Sequence, residues 1–377
     1  MGKTICIVAS EGRSLINFRG RLIESWIKLG YKVVCISIEP KEKIQRIIET
    51  LNVQYVQVYG TRTGIGFSDC LSMIRAYKRA FKSIKPDYVF LYMSKPVALG
   101  GYAAIKQKIP HVNLLVNGLE NAYYRTTFKD AIIRAVMSSF YRYVSKRSDN
   151  VFFQNRDDLA ELKKRKAIKD DDVFIIGGSG VDMSYFERKP LPETPSILMT
   201  ARLLWSKGIR EYLEAVSIVK KEHPETKIML VGGLDENDEA ITEDELKACI
   251  ENSEIEYCGY TDDVRPFLEK CSIYVLPSYH EGLPRSVLEA MAIGRPIITT
   301  DVPGCRETVE NGVNGFLVPA KNSQALANSI IQLVENPFLR RKMAEESYRI
   351  CKDKFEVTKV NDFINKKMFG SDPEEIK

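Results

Sequence analysis

The chain is 377 residues long, 44% apolar and carries a formal net charge of +5, enough for two domains with a core each and too much for a small binding module. No apolar run approaches the roughly 18 residues of a membrane span, and Met1-Gly2-Lys3-Thr4 leads directly into the strand-like Ile5-Cys6-Ile7-Val8-Ala9 instead of a signal peptide, so a cytosolic protein without helical anchors is expected. Charge is unevenly spread: residues 1–183 hold 30 Lys and Arg against 17 Asp and Glu, a net +13, whereas 184–377 hold 25 against 33, a net −8.

A field this polarised fits a first half that faces something anionic, such as a lipid surface, a lipid diphosphate or nucleic acid, although solubility alone accounts for it equally. The first half alternates strand-like runs (5–9, 32–38, 88–92, 111–116, 151–154 and 173–176) with helical stretches (18–29 and 41–51), the rhythm of a parallel α/β sheet. Ser10 to Arg19 follows the first strand, at the edge where such sheets bind ligands. Arg13 and Arg19 are therefore candidates for an anionic acceptor, Glu120 and Arg125 follow the strand 111–116 at the same edge, and any of them can equally serve to cap a helix. Two further helices, 67–84 and 128–147, set basic residues beside an apolar stripe. Such helices lie on anionic bilayers, but core-facing helices with basic outer faces look the same. A nucleic-acid module with base-stacking aromatics is absent, so no nucleic-acid partner is expected.

Glu187 to Ser196 carries three prolines and no apolar period, as a linker does. This divides the chain into a domain at 1–186, a linker at 187–196, a second domain at 197–355 and a terminal segment at 356–377 that is expected to pack back on the first domain. The second domain repeats the βα rhythm, with strands at 197–200, 227–231, 255–259, 273–276 and 296–300 and a helix at 209–222. Arg202 and Lys207 follow its first strand just before that helix, a pairing of cations and helix N-terminus that suits a diphosphate. Gly232 ends the next strand, where a ligand can approach the backbone, and Tyr260 follows a later one, where it can pack beside a base, although an ordinary loop fits Tyr260 equally. The eight cysteines (6, 35, 70, 249, 258, 271, 305 and 351) form no Cys-x-x-Cys pair, so neither a disulfide nor a structural zinc is expected.

The most informative stretch runs Tyr279-His280-Glu281-Gly282-Leu283-Pro284-Arg285-Ser286-Val287-Leu288-Glu289. Proline is pre-organised for a first helical turn, so the helix opens at Pro284 or Arg285, with Glu281 in the preceding loop and Glu289 about one turn inside. Glu281 can accept hydrogen bonds from sugar hydroxyls and Glu289 from ribose hydroxyls, while the N–H groups around Gly282 and Leu283 face a diphosphate.

Ala201-Arg202-Leu203-Leu204-Trp205-Ser206-Lys207-Gly208, Val231-Gly232-Gly233-Leu234-Asp235-Glu236-Asn237 and the Leu276 to Ala290 stretch resemble the family-4 retaining glycosyltransferases of the GT-B fold, over essentially the whole chain. The likeness extends to bacterial enzymes that extend undecaprenyl-diphosphate-linked sugars, including N-acetylgalactosaminyltransferases. It implies two Rossmann-like domains whose parallel sheets face an interdomain cleft. Glu281, Arg202 and Lys207 are then the catalytic residues; Gly12, Gly232, Tyr260, Gly282, Leu283 and Glu289 bind a UDP-sugar; and Arg13, Asn17, Arg19, Asn117, Gly118 and Arg125 bind a polyprenyl-diphosphate-linked sugar. A hexose or N-acetylhexosamine would move, without a metal or other cofactor, on the cytoplasmic face of the cell membrane.

Where many relatives carry His-Gly this chain has Asn117-Gly118, so a histidine acid-base is missing, and front-side departure of the nucleoside diphosphate needs none. Asp170-Asp171-Asp172 contains an Asp-x-Asp pattern but precedes a strand, and reads as a solvated turn. A nucleotide-sugar 2-epimerase of the same fold and a noncatalytic nucleotide-sugar-binding protein are the rival readings.

Overall fold

The computed structural model describes residues 2–60, 66–119, 121–124, 127–235, 240–251 and 255–370. The chain folds as two compact units, the first made of residues up to Ser179 together with those from Thr358 onward, the second of Gly180–Val357.

The first unit is built on seven strands: β1 (Thr4–Val8), β2 (Lys32–Ser37), β3 (Gln54–Gln57), β4 (Tyr88–Tyr92), β5 (His111–Val116), β6 (Asn150–Phe153) and β7 (Val173–Ile175). They pair in the order β3-β2-β1-β4-β5-β6-β7 and every pair is parallel. Parallel strands buried on both faces read as continuous apolar runs, and here alternate residues of one run serve two cores. Ile5 and Ile7 pack with Trp26 of the helix Arg13–Lys28, whereas Cys6 and Val8 pack with Tyr77 of the helix Phe67–Ile84 on the opposite face. The last helix, Val357–Phe369, closes the Trp26 side: Val360, Ile364 and Met368 join that core, and the Trp26 indole Nε1 donates to Asn365 Oδ1 at 2.8 Å.

The second unit repeats the plan with six parallel strands: β8 (Ser196–Thr200), β9 (Lys227–Val231), β10 (Glu256–Tyr257), β11 (Ile273–Leu276), β12 (Ile297–Thr300) and β13 (Gly315–Val318). Their order is β10-β9-β8-β11-β12-β13. In both sheets the winding reverses next to the first strand, between β1 and β4 and between β8 and β11. A doubly wound sheet opens its ligand crevice there, beyond the strands' carboxyl ends. Among the described residues no helix is long and apolar enough to cross a membrane.

The units divide at Ser179/Gly180, ahead of the proline-rich stretch 187–196. That stretch lacks periodicity, yet its carbonyls are in use. Arg295, fully buried, donates to the carbonyls of Lys189 and Pro190, and Arg340, 2% exposed, donates to that of Glu193. Two buried guanidiniums thus fix the segment to the second unit. The actual crossing is marked by Val181, whose N–H donates to the Phe355 carbonyl at 2.8 Å and whose own carbonyl accepts from Val357 N–H at 3.0 Å.

Candidate active site

In the second unit the loops after β8 and β11 meet at the winding reversal. β8 is followed by Arg202 and a 3-10 turn, Trp205–Lys207, that ends in Gly208 at φ 74°, the start of the helix Ile209–Glu222. Only glycine fits Gly208: a Cβ there would lie 2.1 Å from the Pro277 carbonyl oxygen, so the turn carrying Lys207 presses directly on the end of β11. Ser206 accepts from the Tyr279 N–H at 2.9 Å across the same junction.

This contact brings Lys207 and Glu281 together. Lys207 Nζ lies 2.5 Å from Glu281 Oε1, and Ser278 Oγ donates to the same oxygen at 2.9 Å. The two charged side chains are 18% and 16% exposed, so the pair is largely withdrawn from water. The Glu281 loop is braced from beneath by Gly304 at φ 78°, where a Cβ would sit 2.3 Å from the Glu281 carbonyl oxygen, and by the Glu281 N–H bond to Pro303 O at 3.1 Å. Cys305 is buried nearby; burial, with Glu281 adding to it, pushes its thiol up to about 12 and keeps it a neutral packing group.

The helix after this loop opens at Arg285, with Pro284 as its extended N-cap and no side-chain cap. Its first-turn N–H groups are thus uncapped by side chains, which is the condition for binding an anion. Glu289 is held by Arg285, whose Nε donates to Oε1 at 2.9 Å. Burial raises the Glu289 carboxyl above its ordinary value, and Arg285 opposes the rise. Arg202 is more open, 55% exposed, and its Nη1 donates to Asp235 Oδ2 at 3.0 Å. Gly232 lies where β9 ends, with a hypothetical Cβ only 1.8 Å from the Ala201 carbonyl oxygen, so it is required for packing of the β8 loop. Tyr260, 66% exposed, stands beside Gly233 and donates to Asp262. Leu283 is partly buried against the core of this unit.

The second unit therefore gathers Arg202, Lys207, Gly232, Tyr260, Glu281, Gly282, Leu283 and Glu289 at the carboxyl edge of one sheet. Four partners escape a reading of motifs. Asp235 and Ser278 lie inside the family stretches but carry no signal of their own. Arg285 was legible only as a helix opener, although its spacing of four from Glu289 is that of a helical ion pair. The fourth is Glu211, 7% exposed, whose two carboxylate oxygens accept from the Tyr279 hydroxyl at 2.8 and 2.9 Å. Burial and Glu211 together push the Tyr279 phenol upward, so it stays a donor.

In the first unit, the Gly12 N–H donates to the Glu39 carboxylate, and the Arg13 N–H lies 3.3 Å from the same oxygen. A carboxylate of the chain itself thus sits at the N-terminus of the helix Arg13–Lys28. Arg13 and Asn17 are exposed on that helix. Arg19 is 2% exposed, stacks 5.7 Å from the Tyr92 ring centre and donates toward the Gly178 carbonyl. Asn117 is turned inward: its Oδ1 accepts from the N–H of Met93, a non-glycine residue at φ 71°. Gly118 takes φ 139°, which favours glycine. Arg125 and Glu120 lie outside the described residues. Asp170 and Asp172 pair with Lys163 and Lys169 on the surface before β7.

Comparison with known proteins agrees with this architecture. Residues 184–350 match the family described as glycosyl transferases group 1, and residues 4–155 match the family described as glycosyl transferase 4-like. Among characterised proteins, the chain is 28% identical over 357 residues to the N,N'-diacetylbacillosaminyl-diphospho-undecaprenol alpha-1,3-N-acetylgalactosaminyltransferase of Campylobacter jejuni, covering 91% of this chain and 92% of that one. Its fold is shared with a glycosyltransferase from Rickettsia africae (TM-score 0.77, 18% identity, 98% of this chain and 100% of that one). It is shared equally with Anabaena HepE, crystallised with UDP and glucose (TM-score 0.77, 15% identity, 98% and 100%). With a glycosyl transferase 4-like first unit and a group 1 second unit, the chain belongs to the family-4 glycosyltransferases of the GT-B fold, and it is a hexosyltransferase.

Proposed function

We propose that the chain moves a hexose or N-acetylhexosamine from UDP, with retention of configuration, to a polyprenyl-diphosphate-linked glycan during assembly of a bacterial surface polysaccharide or glycoprotein glycan. The observation that carries this reading is the contact between Lys207 and Glu281 at the β8/β11 reversal. Both bonds to Glu281 fall on Oε1, which leaves Oε2 for a hydroxyl of the transferred sugar. Lys207, Arg202 and the N-terminus of the helix Arg285–Ile293 then face the diphosphate beside it, and Glu289 the ribose.

The chemistry asks for stabilisation of a leaving group and little else. The bond between the anomeric carbon and the phosphate oxygen breaks, the acceptor hydroxyl bonds to the same carbon from the same face, and its proton passes to the departing phosphate oxygen. Two fixed cations and a helix dipole stabilise the charge that grows on the diphosphate; in this reading they take the part a divalent ion plays elsewhere. Asn117, which exchanges no proton near neutral pH, is then no handicap. UDP is favoured by the complex of the HepE relative, and a lipid diphosphate acceptor by the name of the Campylobacter relative. Such an acceptor places the enzyme on the cytoplasmic face of the membrane, against anionic lipid, with Arg13, Asn17 and Gly118 on the acceptor side; Arg19, 2% exposed and donating to the Gly178 carbonyl, is a packing residue and not an acceptor ligand.

The test is a screen of UDP-sugars against a polyprenyl-diphosphate sugar, with and without chelator, reading product mass and anomeric configuration. Transfer with retention that survives the chelator is expected. An inverted product, or turnover only with added manganese or magnesium, would refute the mechanism.

A further inference from the structure

The outward surface of the first unit carries a feature that the reaction does not use. Three successive helices, Phe67–Ile84, Gly101–Lys106 and Phe128–Ser145, cover the same face of the sheet, and together they hold eight Lys and Arg against two Asp. Two of these cations, together with Arg147, gather around aromatic rings that join the helices side by side, while Arg134 and Arg142 donate to backbone carbonyls. Lys78 of the first helix stands 5.8 Å from the Tyr102 ring centre, and Lys106 stands 5.5 Å from Tyr102 and 5.6 Å from Tyr143. Arg147, just past the third helix, stacks 4.1 Å over Tyr143. Rings with one wet edge and one apolar body, ringed by ammonium and guanidinium groups, are suited to a headgroup layer.

The third helix adds an apolar wedge. Phe128, Ile132 and Val136 are 83%, 51% and 49% exposed, and their spacing of four places them on one stripe about 12 Å long. Single exposed apolar residues are ordinary, but three in a row on one helical stripe, continued by Tyr143 toward the cationic end, form a patch. Its location also matters. This helix runs back from the carboxyl end of β5, so Phe128 stands at the edge of the sheet that bears Asn117 and Gly118.

We propose that this face docks on an anionic lipid bilayer, with Phe128, Ile132 and Val136 entering the acyl boundary and the cations of the three helices resting on the headgroups. The inference rests on the membrane-bound acceptor proposed above and names the surface that meets it. Charge complementarity and the apolar stripe act together, which is what stable surface binding by an amphipathic helix requires. The wedge lies at the acceptor edge, so docking would deliver the lipid diphosphate to the unit that receives it.

The full chain is mixed with phosphatidylglycerol-containing vesicles or with pure phosphatidylcholine vesicles and sedimented. Wild type is expected to bind the anionic vesicles, less so as salt rises, and to bind phosphatidylcholine weakly. Replacing the wedge together (Phe128→Ser, Ile132→Ser, Val136→Ser) is expected to lower anionic-vesicle binding by about tenfold or more. The charge reversals Arg79→Glu and Lys82→Glu are expected to lower it comparably and to reduce its salt dependence. Transfer to a short-chain, water-soluble diphosphate acceptor should be unchanged in both variants, while transfer to acceptor in vesicles falls. Wedge variants that bind vesicles as wild type does, or a chain that prefers a short single-stranded RNA to the vesicles, would overturn the docking surface. Vesicle binding without transfer to any lipid diphosphate would instead sink the acceptor assignment and leave the surface standing.

Discussion

Removing Lys207 is the sharpest perturbation the second unit offers, because it affects folding and transfer by separate amounts. At 2.5 Å and an effective dielectric near 20, the attraction between Lys207 and Glu281 is roughly 6–7 kcal/mol. Most of that is cancelled by taking two side chains, only 18% and 16% exposed, out of water. A coupling of about 1–2 kcal/mol is expected to remain, above the ~0–1 kcal/mol of an exposed pair. The assay is a double-mutant cycle of Lys207→Met, Glu281→Gln and both together, followed by thermal unfolding of the second unit. Each kcal/mol shifts the midpoint by about 2–4 °C in a unit of this size. The double variant is therefore expected to be more stable than the sum of the single losses by about 2–8 °C. In parallel, transfer by Lys207→Met is expected to fall about 100- to 1,000-fold in kcat, the usual cost of one donor to a developing anion. Strict additivity in the cycle would show that the two groups do not interact in solution, and wild-type turnover would remove Lys207 from the chemistry.

Three further outcomes follow from the same geometry. Arg202→Ala should change the unfolding midpoint of the second unit very little, because an ion pair whose arginine is 55% exposed is worth ~0–1 kcal/mol, yet transfer should fall about 100-fold; equal losses in both would contradict its assignment to the donor. Gly304→Ala has no room, since a Cβ meets the Glu281 and Gly282 carbonyl oxygens at 2.3 and 2.7 Å and φ is 78°. It is expected to cost about 2–4 kcal/mol and most of the transfer rate, as unfolding and steady-state assays would report. Glu289 supplies a pH signature. Its folded carboxyl titrates above the ordinary 4.5 because of burial, so as pH rises the unfolded chain loses that proton first. Stability should therefore fall between about pH 4.5 and the raised folded value and be flat above it, and Glu289→Gln should flatten that slope in unfolding curves taken across pH. A wild-type slope unchanged in Glu289→Gln would locate the pH dependence elsewhere.

The long apolar runs made both parallel sheets legible, because a strand buried on two faces has no need of alternation. The edge strands β3 and β13 were not. Gln54-Tyr55-Val56-Gln57 offers only two apolar residues and Gly315-Phe316-Leu317-Val318 opens on a glycine, so each owes its place in the sheet to the strand it pairs with, β2 and β12. The helix Arg13–Lys28 begins five residues before its apolar period becomes evident, because its first five residues include Arg13, Ser14 and Asn17. The proline-rich 187–196 looked like the crossing between units, and the two guanidiniums that fix it come from positions more than 100 residues away, which no local pattern reveals. At the site, charge and spacing identified Arg202, Lys207, Glu281 and Glu289, whereas the partners Ser278, Asp235 and Glu211 depend on which loops meet at the winding reversal. Asn117 shows the converse. Its residue type suggested sugar binding, but its side chain also supports the strained Met93 backbone, a demand visible only in three dimensions.

The most direct measurement is a crystal structure of the chain with a UDP-sugar or its nonhydrolysable analogue. The diphosphate should lie within hydrogen-bonding distance of both Arg202 and Lys207 at the N-terminus of the helix Arg285–Ile293, with a sugar hydroxyl on Glu281 and the ribose on Glu289. Phosphates bound at another edge of the sheet, or bridged to the protein by a divalent ion in place of those two cations, would contradict it.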